Sequence, residues 1–164
     1  MYKKEDHENM KCYKKLIFVD SSDTTRSPMA EIMLKKKLLL SSLVIESRGL
    51  IVLFPEPINQ KSEAILISHG YEAENHMSKP LIQEDIGDGE GVLILAMEQE
   101  LKEKILEEYS NLKHLYTLTG FVGGRGDLAP LYGEPLKEYG YYYETLDTLL
   151  DGLVIKLNEE EILS

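Results

Sequence analysis

The stretch that decides the fold is Lys15-Leu16-Ile17-Phe18-Val19-Asp20-Ser21-Ser22-Asp23-Thr24-Thr25-Arg26-Ser27-Pro28-Met29-Ala30-Glu31. An apolar run typical of a β-strand ends at Asp20, five small polar residues follow, and Pro28 suits the first turn of a helix. Such a junction brings loop N–H groups and the positive helix end to one point, where Arg26 adds a bidentate cation. The stretch therefore predicts an anion-binding loop formed by Asp20, Ser21, Ser22, Asp23, Thr24, Thr25, Arg26 and Ser27.

Outward from this loop, short apolar runs alternate with segments of helical periodicity. Strands are predicted over 14–19, 43–47, 91–97 and 112–118, and helices over 27–40, 59–69, 81–86, 98–109 and 135–158. Glycine and proline mark loops over 49–59 and 120–134. The pattern predicts an α/β fold, a three-layer sandwich in which a four-stranded parallel sheet carries helices on both faces. Ligands are expected at the carboxyl ends of its strands.

Composition restricts the class of protein. The 164 residues have the length of one domain, and 43 % are hydrophobic and 29 % charged, as in a soluble globular protein. A net charge of −11 argues against nucleic acid or an anionic membrane as partner. No apolar run is long enough to span a bilayer. The single cysteine, Cys12, excludes an internal disulfide and suits a reducing compartment, so we expect a cytoplasmic protein.

The N-terminal residues differ from the rest of the chain in polarity and hydrophobic pattern. Residues 1–13 are polar and without a usable period, and they lack the apolar segment of a secretory signal. We expect residues 1–13 to be a flexible extension and residues 14–164 to form the domain.

The helix start Arg26-Ser27-Pro28-Met29-Ala30-Glu31 resembles the low-molecular-weight protein tyrosine phosphatases, which carry Cys-x5-Arg-Ser-Pro-Met-Ala-Glu at a strand-to-helix junction. The resemblance covers most of the chain from Lys14 to Leu157 and implies the family's fold and phosphate-binding loop. It places the nucleophilic cysteine, six residues before the arginine, at Asp20. The family's usual Gly-Asn within the loop reads Ser22-Asp23.

The resemblance also locates the family's general acid. The segment from Gly126 to Tyr139 is similar to the stretch that holds Asp-Pro-aromatic-Gly before a tyrosine. Anchored on Tyr132-Gly133 and Tyr139, the general-acid aspartate falls on Pro130. The nearest acid, Asp127, lies three residues earlier and is no clear replacement. Tyr132 matches the aromatic wall of the pocket beside the phenol.

Catalysis in this family needs a thiolate nucleophile, an arginine and a proton donor. Arg26 and the loop backbone remain in this sequence, whereas the nucleophile and the acid are replaced. We expect the Asp20 carboxylate to lie near Arg26 inside the ring of N–H donors, as a built-in substitute for phosphate. The resemblance then implies a pseudophosphatase that binds a protein partner or a phosphorylated ligand. No cofactor, nucleic acid or membrane is expected.

An active enzyme remains the alternative. A phosphomonoester (phosphotyrosine) hydrolase would use Asp20 as nucleophile and Arg26 for the phosphoryl oxygens, assisted by Asp127 or a metal ion. Asp20 and Asp23, with Asp127, could in principle hold a divalent cation, but the charge of Arg26 disfavours one. No metal site is predicted.

Two predictions concern the surface. His69 and His76 are expected to be surface residues flanking Gly70, since two histidines without a third ligand make a weak metal site. The apolar residues 50–54 are a candidate contact surface, unless they pack on the sheet.

Overall fold

The computed structural model describes residues 13–73 and 75–163, with side chains up to residue 159. The predicted extension over residues 1–13 lies outside this range except for Tyr13, whose ring packs edge-on against His114 with 5.3 Å between ring centroids. The elements of the described chain are β1 (Lys15–Asp20), α1 (Arg26–Lys37), β2 (Val44–Gly49), α2 (Gln60–Ser68), α3 (Gln83–Ile86), β3 (Val92–Ala96), α4 (Gln99–Glu108), β4 (His114–Thr117), α5 (Leu118–Val122) and α6 (Leu136–Leu163).

The four strands form one parallel sheet in the order β2-β1-β3-β4, which confirms the predicted sheet. The chain moves one way across the sheet from β1 to β2 and the other way from β3 to β4. Right-handed crossovers therefore put α1 and α4 on opposite faces of the sheet. The strand order reverses beside β1, and open α/β sheets bind ligands at the carboxyl ends of the strands flanking such a point.

The core surrounds β1. Residues 16–19 of this strand are fully buried, and α1 packs its apolar residues against the sheet. The prediction that α1 continues to residue 40 is wrong, because the helix ends at Lys37 and Leu39 is 77 % exposed. The last turn consists of Lys35, Lys36 and Lys37, whose charges favour a helix carboxyl end at this point.

One connection differs in detail from the prediction. Residues 118–122 form α5 where the end of a strand and a loop were expected, because the Thr117 side chain caps this helix by accepting from the Gly120 N–H at 3.0 Å. Asn59 caps α2 as expected, accepting from the N–H groups of Lys61 and Ser62. In the loop after β2, Ile51, Leu53 and Phe54 are exposed rather than packed on the sheet.

The last helix, α6, is the longest element, with 28 residues. It packs on α1, α2 and α5 and buries Leu146, Leu150 and Leu153. Its remaining positions include many charged residues. In the described part of the chain, no helix has both the length and the hydrophobicity needed to cross a membrane.

Gly49 ends β2 directly against the loop that follows β1. A Cβ here would lie 2.7 Å from the carbonyl carbon of Ser22 and 2.9 Å from the amide nitrogen of Asp23. Because both are backbone atoms, we expect Gly49→Ala to lower the free energy of unfolding by about 1–3 kcal/mol, measured by urea titration. Gly140→Ala is the control, since its Cβ would meet only Ile65 Cδ1 at 3.8 Å. An equal loss in both variants would contradict the close approach.

Candidate anion-binding site

The loop from Asp20 to Ser27 lies at the carboxyl end of β1, and the chain that follows β2 holds its backbone. The carbonyl oxygens of Asp20, Ser21 and Thr24 accept from the N–H groups of residues 50, 51 and 59 at 3.1, 2.9 and 2.8 Å. Asp23 adopts a left-handed conformation with φ of 58°. These bonds use loop carbonyl groups, and several loop N–H groups are directed toward the centre of the turn.

The side chain of Asp20 occupies the centre of this loop and is 1 % exposed. Its Oδ1 accepts from the Asp23 N–H at 2.6 Å, and its Oδ2 accepts from the N–H groups of Arg26 and Ser27, both at 3.0 Å. The Nε of Arg26 lies 3.9 Å from Oδ2. A carboxylate with three backbone donors and a nearby guanidinium is held as a bound oxyanion would be at a helix N-terminus.

Arg26 is 2 % exposed and is bound by groups that follow β3 and α5, as well as by the loop itself. Its Nη1 donates to Glu98 Oε1 at 2.5 Å and to the carbonyl oxygen of Leu128 at 2.8 Å, and its Nη2 donates to Ser21 Oγ at 3.3 Å. Leu128 is fixed a second time, because its N–H donates to the Met97 carbonyl oxygen at 2.9 Å. The Arg26 guanidinium is thus hydrogen-bonded to the Glu98 carboxylate and also lies close to the Asp20 carboxylate.

Sequence reasoning missed Glu98. This residue follows β3, the neighbour of β1, by two positions. The carboxyl ends of adjacent parallel strands meet at one edge of the sheet, so this placement is the signal that could have identified it.

Asp23 is fully buried and connects the loop to residues 76–79. Its Oδ1 accepts from Ser27 Oγ at 2.9 Å, its Oδ2 accepts from the Lys79 N–H at 3.0 Å, and its carbonyl oxygen is 2.7 Å from His76 Nε2. Burial raises the pKa of the Asp23 carboxyl from 3.8 to about 6, although Ser47, His76 and the Lys79 N–H each lower it. The expectation that His76 is a surface residue is wrong, because its side chain is only 10 % exposed and packs on this loop.

Tyr142 is a third residue that sequence reasoning missed. Its hydroxyl oxygen is buried and has no hydrogen-bond partner in the described part of the protein. Burial raises the pKa of this phenol, opposed by the charge of Arg26 and assisted by those of Asp20 and Glu98. A neutral phenol therefore lies near the charged groups of the loop. The run of tyrosines at 141–143 gave no indication of which one does so.

Asp127 and Tyr132 are two further predicted site residues. Asp127 Oδ1 accepts from the N–H of Gln99 at 3.0 Å and so binds the first turn of α4. Tyr132 is 75 % exposed. Pro130 comes two residues after Leu128, the residue whose carbonyl binds Arg26. Within residues 13–73 and 75–163, no three His, Cys, Asp or Glu side chains are grouped to hold a metal ion.

The balance of charge in the loop is negative. One guanidinium, that of Arg26, faces the carboxylates of Asp20 and Glu98, and Asp23 adds part of a third negative charge near neutral pH. A phosphate dianion entering this site would meet an excess of negative charge rather than a cationic pocket.

Fold and loop together define an open, parallel α/β protein whose first strand-to-helix turn is built for an oxyanion. The chain belongs to the low molecular weight phosphotyrosine protein phosphatase family, whose sequence model matches residues 15–162. The resemblance drawn from the Arg26-Ser27-Pro28 junction is thereby confirmed.

Individual relatives agree with this assignment. The chain is 33 % identical over 149 residues to a protein-arginine-phosphatase of Geobacillus stearothermophilus, covering 90 % of this chain and 98 % of the relative. The solved YwlE arginine phosphatase from the same organism superposes with a TM-score of 0.83 at 30 % identity, covering 91 % and 96 % of the two chains. A low molecular weight protein tyrosine phosphatase from T. tengcongensis gives a TM-score of 0.79 at 31 % identity, covering 87 % and 98 %. These structures confirm the fold.

Proposed function

We propose that this protein is a pseudophosphatase, a cytoplasmic member of its family that binds a protein partner or a phosphorylated ligand without hydrolysing it. The observation that carries this proposal is the position of the Asp20 carboxylate. It accepts three backbone N–H bonds within the loop and lies 3.9 Å from the Arg26 Nε. The donors that a phosphoryl group would use are therefore engaged by the protein's own side chain.

The charges in the loop predict that phosphate binds only weakly. Two opposite unit charges about 4 Å apart attract by roughly 4 kcal/mol at an effective dielectric constant of 20, before the cost of desolvation is subtracted. An incoming dianion must replace the Asp20–Arg26 attraction and then remain close to the displaced carboxylate. It must also compete with Glu98 for the same guanidinium.

The groups needed for turnover support the same conclusion. The family's reaction needs a thiolate and an acid, and the resemblance puts Asp20 and Pro130 at those positions. Hydrolysis through Asp20 would require a carboxylate lone pair aimed at phosphorus, yet both oxygens already accept hydrogen bonds from the loop. Asp127 is bound to the first turn of α4. Nucleophile and acid act as a unit in such enzymes, so losing both removes most of the rate.

Steady-state assays test the absence of turnover. Because the relatives include arginine and tyrosine phosphatases, an aryl phosphate and a phosphoarginine peptide are both needed, each with and without Mg²⁺. We expect no hydrolysis above background, and little recovery in Asp20→Cys, since the acid is still missing. Turnover by the unaltered protein that disappears in Asp20→Ala would overturn the proposal and establish the alternative hydrolase.

Thermal shift tests the proposed ligand. A phosphotyrosine peptide and a phosphoarginine peptide are each compared with the unphosphorylated peptide of the same sequence. We expect stabilisation by one phosphorylated peptide and none by its unphosphorylated form. Equal shifts with both forms would assign recognition to the peptide rather than to the phosphoryl group.

A further inference from the structure

We propose that Asp23 couples anion binding at the loop to the uptake of a proton, so that the site holds an oxyanion most tightly in mildly acidic solution. This inference rests on the proposed function, because it requires a loop that accepts an anion when Asp20 gives way. It assigns to Asp23 a role separate from that of Asp20, namely control of the charge behind the loop.

The geometry joins the two acids through a single residue. The Asp23 N–H is one of the three donors around the central carboxylate, at 2.6 Å from Asp20 Oδ1. The Asp23 carboxylate points away from that centre, toward Ser27 Oγ at 2.9 Å and the Lys79 N–H at 3.0 Å. An anion in the centre of the loop would therefore accept a hydrogen bond from the Asp23 N–H. The carboxylate of this same residue is fully buried.

Few charged groups face Asp23. From the loop, Asp20 raises the pKa of the Asp23 carboxyl, and from residues 76–79 His76 lowers it, with its Nε2 3.7 Å from Oδ1. β2 and the first turn of α1 present the hydroxyl groups of Ser47 and Ser27 to it. Burial is the largest effect and holds this pKa at about 6, so the group changes charge close to physiological pH.

The neutral form of Asp23 has a ready acceptor. Ser47 is 2 % exposed, and its Oγ has no hydrogen-bond partner among the described residues. This hydroxyl nevertheless lies close enough to lower the pKa of the Asp23 carboxyl. A proton on one Asp23 oxygen could therefore be donated to Ser47 Oγ, while Oδ1 still accepts from Ser27 Oγ and Oδ2 still accepts from the Lys79 N–H. Protonation removes a charge without leaving a buried donor unpaired.

The linkage between proton binding at Asp23 and anion binding at the loop determines how the affinity changes with pH. A second negative charge in the loop raises the pKa of Asp23 further above 6, because like charges disfavour ionisation. Binding at a pH between the free and bound pKa values therefore takes up a proton. Affinity should rise as pH falls through that window, by up to about tenfold for each pH unit.

Sulfate is the probe, because it remains a dianion throughout this range, whereas phosphate changes its own charge. The titration uses the full chain carrying Asp20→Ala, which empties the centre of the loop, beside the unaltered protein. Isothermal titration calorimetry at about pH 5.5 and about pH 7.5, in two buffers of different ionisation enthalpy, gives both affinity and proton uptake. We expect at least about tenfold tighter binding at the lower pH, with proton uptake at about pH 6.5.

Adding Asp23→Asn to Asp20→Ala should abolish both the pH dependence and the proton uptake. Asp88→Asn is the matched control, since Asp88 is an exposed acid in the turn before β3, and it should leave both unchanged. Persistence of proton uptake in the Asp23→Asn protein would overturn the coupling.

The remaining outcomes separate this inference from the proposed function. If Asp20→Ala binds sulfate more tightly than the unaltered protein, but equally at both pH values, the coupling fails and the blocking role of Asp20 stands. If Asp20→Ala binds no more tightly at either pH, the blocking role fails. Absence of measurable binding in both proteins overturns the two proposals together.

Discussion

Asp20→Ala is expected to lower the free energy of unfolding by about 2–4 kcal/mol. The Asp20 carboxylate is the acceptor for three buried N–H groups and lies close to the Arg26 guanidinium. Removing it leaves these donors to water that must enter a nearly closed loop, and each unsatisfied buried donor costs about 1–3 kcal/mol. Urea unfolding at neutral pH measures the loss. A stability equal to that of the unaltered protein would show that the loop does not depend on this side chain.

The same variant should regain stability from an added oxyanion. A ligand that binds only the folded state stabilises it by about 2.7 kcal/mol at a concentration of 100 times its dissociation constant. Sulfate also strengthens apolar burial in any protein, so the relevant quantity is the gain beyond that of the unaltered chain. Chloride at matched ionic strength provides the second control. Identical sulfate effects on both proteins would refute an anion site formed by the loss of Asp20.

Asp23→Asn should have the opposite effect and raise the free energy of unfolding by about 3 kcal/mol above pH 7. Burial raises the pKa of Asp23 from 3.8 to about 6, so the folded protein pays to keep this carboxylate charged at neutral pH. An asparagine oxygen can still accept from the Lys79 N–H. Its amide can donate to Ser27 Oγ, whose hydroxyl then turns to the Arg48 carbonyl oxygen at 3.4 Å. Asparagine also tolerates the φ of 58°.

The pH dependence of this gain follows from the direction of the pKa shift. Between pH 3.8 and about 6 the folded state binds more protons at Asp23 than the unfolded state does, so the stability of the unaltered protein falls as pH rises through this range. The advantage of Asp23→Asn is therefore small near pH 4 and complete above about pH 6. Urea unfolding at about pH 4.5 and about pH 7.5 measures the difference. Asp88→Asn is the control, and a gain that is equal at both pH values would contradict the buried charge.

The features that depend on neighbouring residues could be predicted from the sequence. The loop from Asp20 to Ser27 follows from a strand, five small polar residues and a helix start in unbroken succession. The parallel sheet follows from the alternation of apolar runs with helical segments. The cap at Asn59 is likewise a local hydrogen bond. The cap is a contact between close neighbours in sequence, whereas the sheet pairs distant strands and is indicated only by the repeated hydrophobic pattern.

The features that were missed depend on distant residues. Arg26 binds Glu98, 72 positions away, and the Asp23 carbonyl binds His76, 53 positions away. Such pairs require the strand order and the path of residues 71–81 to be known. Asp127 is near the expected acid position in sequence, yet it binds the first turn of α4. That hydrogen bond could be foreseen only once the start of α4 was located beside the loop that follows α5.

The two main-chain hydrogen bonds of Leu128 bear on the design of an active variant. Its N–H is bound to the end of β3 and its carbonyl to Arg26, so the main chain two residues before Pro130 is fixed by bonds in which residue 130 takes no part. An acidic side chain introduced at position 130 would follow, two residues later, a main chain that these bonds already hold. A designer who wishes to install turnover can therefore begin with point substitutions at positions 20 and 130.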